Sequence, residues 1–218
     1  MFQKDWLLRQ LEAISAMVAH IHRLRTQGDL EGTQQTIDEA YRELFGLDAR
    51  LAGIVPHQFL RDKISAGDRL DGHRGLALAV LLREDAQLQL DRGLPDEAES
   101  RLVGSLAVFL ATAKHGALPP EHPGLYDAHA VLNQLDPGAL PGEVAFDLFQ
   151  FYEDEGEYAS AEDVLHELIA SSPAPHALIK EGIAFYEWLL TREDEELEAG
   201  NLPRAEVIEG LSRLNEAR

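Results

Sequence analysis

Apolar residues recur at steps of three and four along most of this chain, which is the period of a helix. Trp6, Leu7, Leu11, Ile14, Met17, Val18, Ile21 and Leu24 place one long amphipathic helix over Phe2–Gln27. Gly28 ends it, and Asp29 is placed to cap a second helix carrying Ile37, Ala40, Tyr41, Leu44 and Phe45. Pro56 to Ile64 predicts a short helix. A longer one follows from about His73 to Asp91, with Leu78, Leu81, Leu82, Ala86 and Leu90 on its face. Gly93 breaks that helix, and Pro95 suits the first turn of the next, which carries Ala98, Leu102, Leu106, Phe109 and Leu110. Tyr126 to Leu135 predicts another short helix. The pattern then gives a helix from about Val144 to Glu155, one from Tyr158 to the Ser171–Ser172–Pro173 stop, a long one over Pro175–Ala199, and a last one opened by Pro203. The expected fold class is all-α.

The segment from Pro141 to Pro173 shows the logic most clearly. Leu148, Phe149 and Tyr152 share one face of its first helix, and Tyr158, Ala161, Leu165, Leu168 and Ile169 share one face of its second. Gly156 between them accepts the left-handed conformation that a helix end needs. So short a turn requires the two helices to lie antiparallel. Leu148, Tyr152, Gly156, Tyr158, Ala161, Leu165 and Pro173 make this hairpin resemble a tetratricopeptide repeat. Ala145 stands where that family usually has tryptophan. Four turns of this kind occur, at Gly28, Gly93, Gly156 and Gly200, separated by 65, 63 and 44 residues. The family repeats every 34 or so residues, so the resemblance is to a degenerate, tetratricopeptide-like α-solenoid of stacked antiparallel hairpins. The opening MFQKDWLLRQLE is also similar to the start of a group of uncharacterised bacterial proteins of that type.

Charge divides the chain. Residues 1–60 have 6 basic and 8 acidic side chains, 61–120 have 8 and 9, and 121–218 have 5 and 22. The net charge of −20 therefore belongs almost wholly to the last part. Such a field repels phosphate backbones and anionic lipid, so neither nucleic acid nor membrane is an expected partner. The charge shift coincides with the proline-rich stretch His115–His129. The expected organisation is N-terminal hairpins over 1–116 and acidic C-terminal hairpins over 117–218, within one continuous helical-repeat domain. There is no cysteine, which removes disulfides and thiolate chemistry and fits a reducing cytoplasm. Neither a basic, apolar leader nor a membrane-length apolar run is present, so neither a signal peptide nor a membrane span is expected.

No residue constellation calls for an enzyme, a cofactor or a metal. His20 and His22 point to different sides of their helix, the His122/His129 pair is interrupted by Pro123, and His166 lacks the second histidine of a zinc helix. Phosphate-loop, dinucleotide and nucleophile-elbow motifs are absent. The tetratricopeptide resemblance implies instead a groove lined by the first helices of successive hairpins. In this chain that groove would be anionic, with Glu143, Asp147, Gln150, Glu153 and Asp154 on one helix, Glu187 and Asp194 on the next, and Phe146 as an apolar floor. The expected function is a non-enzymatic protein–protein scaffold for a basic peptide or protein. Two other readings stay open here. One is a self-associating structural protein, a homodimer through Phe2, Trp6 and Phe45. The other is a small-ligand or enzymatic role for His115–His129.

Overall fold

The computed structural model describes residues 2–66, 69–115, 118, 124–135, 138 and 140–217, with the backbone alone for 2–11, 66 and 69. Among the described residues the regular structure is helical apart from a two-residue antiparallel pairing of β1 (Ser65–Ala66) with β2 (Arg69–Leu70). It divides into two compact units, Met1–Leu140 and Pro141–Arg218.

Three of the four expected hinges are built alike. Gly28, Gly93 and Gly156 all take positive φ, at 75°, 75° and 76°. After each, the next residue's N–H reaches back to the helix it has left: Asp29 to the Leu24 carbonyl, Leu94 to Gln89, and Glu157 to Tyr152. That bond satisfies a carbonyl which the helix end would otherwise leave without a partner. At the first hinge the Asp29 carboxylate then accepts from the Gly32 N–H at 2.8 Å and opens the next helix.

In the first unit, α1 (Phe2–Thr26) and α2 (Leu30–Ala40) fold back on each other and pack against α5 (Gly72–Asp91). The helix that begins as α2 ends in a π turn over Tyr41–Phe45, closed by Gly46 at φ 61°. Short helices α3 (Ala49–Ala52) and α4 (His57–Lys63) lead to the β1–β2 pairing and into α5. The centre of the unit is the hairpin of α5 with α6 (Pro95–Lys114), on which Leu76–Leu82 and Leu102–Ala111 are buried without interruption. Ser105 ties the two helices by donating to the Ala79 carbonyl at 2.6 Å. Past the proline-rich stretch, Tyr126 stacks on Phe109 at 4.4 Å, and α7 (Ala128–Leu132) packs on α6. Those contacts attach 124–135 to the first unit. The division therefore falls after Leu140, not at the 116/117 boundary expected from prolines and charge.

In the second unit, α8 (Gly142–Glu155) and α9 (Tyr158–Ser171) form the hairpin expected for that segment. Next, α10 (His176–Leu189) runs antiparallel to α9: Tyr186 meets Glu162 and His166, and Trp188 meets Tyr158 edge-on at 5.7 Å. The single helix expected over Pro175–Ala199 is two. It stops at Leu189 and resumes as α11 (Asp194–Ala199), because Arg204 reaches back to the Leu190 carbonyl at 3.0 Å and to the Arg192 carbonyl. Then α12 (Arg204–Glu216) returns along α10, where a Cβ on Gly182 would fall 2.5 Å from a Leu214 methyl.

The fourth hinge departs from the other three. Gly200 has an ordinary φ of −79°, and Asn201 takes the left-handed conformation at φ 57°. Gly200 is needed for a different reason. A side chain there would run into the Tyr158 ring and stand 2.6 Å from the Gly156 carbonyl oxygen. The Ala159 N–H donates to the Gly200 carbonyl at 3.0 Å, so the fourth hinge lies directly on the third.

Candidate functional site

The residues expected to form an anionic groove do not all stay together. Gln150, Glu153 and Asp154 lie together on α8, half-buried, half-buried and exposed in turn. Phe146 is half-buried against Phe149, with ring centroids 5.8 Å apart. Glu143 is exposed at the start of α8, and Glu187 is exposed on α10. Asp194 is exposed too, but it pairs with Arg204 and so is already neutralised. Asp147 is a correction. It is only 7% exposed and has an interaction partner, so it belongs to the interior of the unit and offers nothing to a visitor.

One carboxylate that the sequence pattern did not single out joins the α8 group. Glu181 of α10 stands close enough to act on Glu153. Burial holds the Glu153 carboxyl above its ordinary range, and the charges of Asp154 and Glu181 push the same way. Glu153, Asp154 and Glu181 make no ion pair among the described residues. The Phe149–Phe185 contact, edge-on at 5.3 Å, holds α8 and α10 together beside them. The Gln150 Oε1 is buried without a hydrogen-bond donor. The face therefore combines three carboxylates and an apolar edge.

A second polar cluster in this unit also escaped the sequence reading. The Tyr186 hydroxyl donates to Glu162 and lies 3.1 Å from His166 Nε2. Tyr186 is fully buried, and burial together with Glu162 pushes its phenol far above the ordinary range. The ring fits because α12 offers Gly210, where any side chain would strike it. Glu162 and His166 share a face of α9 at i and i+4, which was visible, but their partner 20 or more residues away was not.

In the first unit the notable polar group is internal. Asp85 is fully buried and accepts from Arg101 Nε at 2.7 Å, from Gln89 at 2.7 Å and from the Tyr41 hydroxyl at 3.3 Å. Burial pushes the Asp85 carboxyl upward and Arg101 opposes that. Burial, then Asp85, drives the Tyr41 phenol well above its usual value. Phe45, expected on an interface, is 4% exposed and belongs to this core instead. A cavity of about 660 Å³ opens between α1, the α2–π turn and the start of α5.

Among the described residues no group of three or more His, Asp or Glu side chains is placed to hold a metal ion. No helix among them is long and apolar enough to cross a membrane. His122 lies outside the described residues, and with it the His122/His129 pair. His115 and His129 are exposed.

The model of a family of unknown function, DUF6483, matches residues 1–218. The chain belongs to that family. Neither a curated protein nor a solved structure matches it. Membership of DUF6483 carries no known activity with it.

Proposed function

We propose that the chain is a non-enzymatic helical scaffold whose second unit docks a basic peptide or protein on the face of α8 and α10. One observation carries the reading: Glu153, Asp154 and Glu181 act on one another at that face, and none of them has an ion-pair partner among the described residues. Like charges held together destabilise the free protein and gain most from a Lys or Arg donor placed among them. The region around them reinforces the field, since residues 141–218 carry 19 acidic and 5 basic side chains.

The tetratricopeptide-like solenoid is part of the same proposal. What supports it is the way α8–α9 and α10–α12 follow one another, with α10 antiparallel to α9 and the Gly200 hinge seated on the Gly156 hinge.

The experiment is the binding of a fluorescent Lys/Arg-rich peptide, followed by anisotropy across a salt series. Affinity should fall steeply with salt and drop about tenfold in a Glu153→Lys/Glu181→Lys variant. A Glu195→Lys/Glu206→Lys control has the same change of net charge on other exposed positions and should bind nearly as the parent does. Salt-independent binding, or equal losses in the two variants, would defeat the proposal.

Self-association is the second reading, favoured by the exposure of Leu51, Ile54 and Phe59 on and beside α3 and α4, with Ile54 at 76%. A monomer by light scattering at high concentration would remove it.

A further inference from the structure

We infer that the cavity of the first unit is a binding site for a small amphipathic carboxylate, with its apolar chain lying between α1 and the α2–π turn and its head at Arg74 and His73.

The volume, about 660 Å³, lies in the range of small-molecule sites. Its side walls are apolar: Ala13 and Met17 from α1, Ala40 and Leu44 from the α2–π turn, and Ala77 from α5. Arg25 near the end of α1 pairs with Asp91 near the end of α5, at 2.7 Å, so these two helices run the same way. Ala13 and Arg74 then share one end of the groove, and His20, about two turns further along α1, closes the other. Seven residues of rise give the groove a length of about 10 Å, suited to a medium-length acyl chain.

The polar chemistry is concentrated at the α5 end. Arg74 donates from Nε to the Lys63 carbonyl at 3.1 Å, and its guanidinium lies over the Phe45 ring at 5.4 Å. These two contacts fix the plane of the group. Its two terminal nitrogens have no partner among the described residues, and neither does the His73 ring. A fixed guanidinium with both terminal nitrogens free matches a carboxylate bidentately. Glu39 and Glu43 also line the cavity, but both are exposed on the α2 side and neither pairs with Arg74. They favour placing the anionic head away from their wall and disfavour a second negative charge. At the far end, Arg23 Nη2 lies 2.6 Å from His20 Nδ1, so that end is a polar stop.

The test uses octanoate, octan-1-ol and octylammonium with the full chain, by titration calorimetry and by methyl NMR. Octanoate should bind at one site, about tenfold tighter than the alcohol, and octylammonium weakest. Arg74→Gln should reduce octanoate binding to the level of the alcohol and leave the alcohol unchanged. Ala16→Trp, at an exposed position lining the groove, should abolish both. Should Arg74→Gln fail to fold by circular dichroism, the parent protein decides: octanoate must shift the methyl signals of Ala13, Met17, Ala40 and Ala77. Equal binding of the three probes, no binding, an unchanged Arg74→Gln affinity, or methyl shifts located elsewhere would each overturn the inference.

Discussion

Arg101 reaches from α6 to a fully buried Asp85 on α5, with Nε 2.7 Å from Oδ2. The pair is completed by Gln89 and by Tyr41 from the π turn, and it lies beside Gly53, where a Cβ would be 2.8 Å from Arg101 Nη1. Breaking a buried pair strands one charge. Arg101→Met should therefore cost about 3–5 kcal/mol, whereas Asp85→Leu/Arg101→Met should recover most of that loss. A double-mutant cycle by urea denaturation measures the coupling. Additive losses would show that the two side chains act independently.

The crowding of Glu153 has a pH signature. Its carboxyl is raised in the folded chain by burial first, then by Asp154 and Glu181. A raised carboxyl means that the folded state holds its proton more tightly than the unfolded state does. The associated stability is present in acid, below the ordinary carboxylate range, and is lost as pH rises through the folded value. Glu153→Gln should thus stabilise the protein at neutral pH by about 0.5 kcal/mol after solvent screening, and by nothing in acid. Denaturation midpoints of parent and variant should converge as the pH falls. A gain that persists in acid would point to packing instead.

The hinges should separate by mechanism. At Gly200→Ala the new methyl meets the Gly156 carbonyl and the Tyr158 ring, and the loss should be about 2–3 kcal/mol. At Gly28→Ala nothing stands in the way, and only the positive φ is penalised, by about 1 kcal/mol. Asn201→Gly should be neutral or slightly stabilising, since Asn201 already tolerates φ 57°. Thermal unfolding of the three variants gives the order directly.

Arg204 holds the end of α10 through the Leu190 and Arg192 carbonyls. Arg204→Met should cost about 1–2 kcal/mol. It should also raise amide exchange over residues 189–194 before any loss elsewhere. Uniform protection across the second unit would argue against a local role.

Helix positions were largely legible because Gly28, Gly93 and Gly156, with Pro95 and Pro203, act locally on the backbone. The break between α10 and α11 was not, because Thr191 to Glu196 contains good helix formers and the side chain that ends the helix comes from Arg204. The π turn likewise left no periodic trace, since Tyr41 and Phe45 keep a helical spacing of four. Of the expected groove residues, Glu153 and Asp154 lie side by side on α8, whereas Asp147, expected on the open face, is buried. It occupies an inward position, three residues from Val144, where a partnered carboxylate can be buried. Glu181, Asp85 with Arg101, and Tyr186 with Glu162 are pairings across the fold, and helical periodicity is silent about those.

The bend at Gly200 resting on the bend at Gly156 limits how this half of the chain can vary in length. Residues added at either bend would push two touching backbones apart, whereas Ser171, Pro173 and Ala174, at the opposite ends of α9 and α10, are exposed. Within the second unit, added length is thus better tolerated at the α9–α10 turn than at the paired bends.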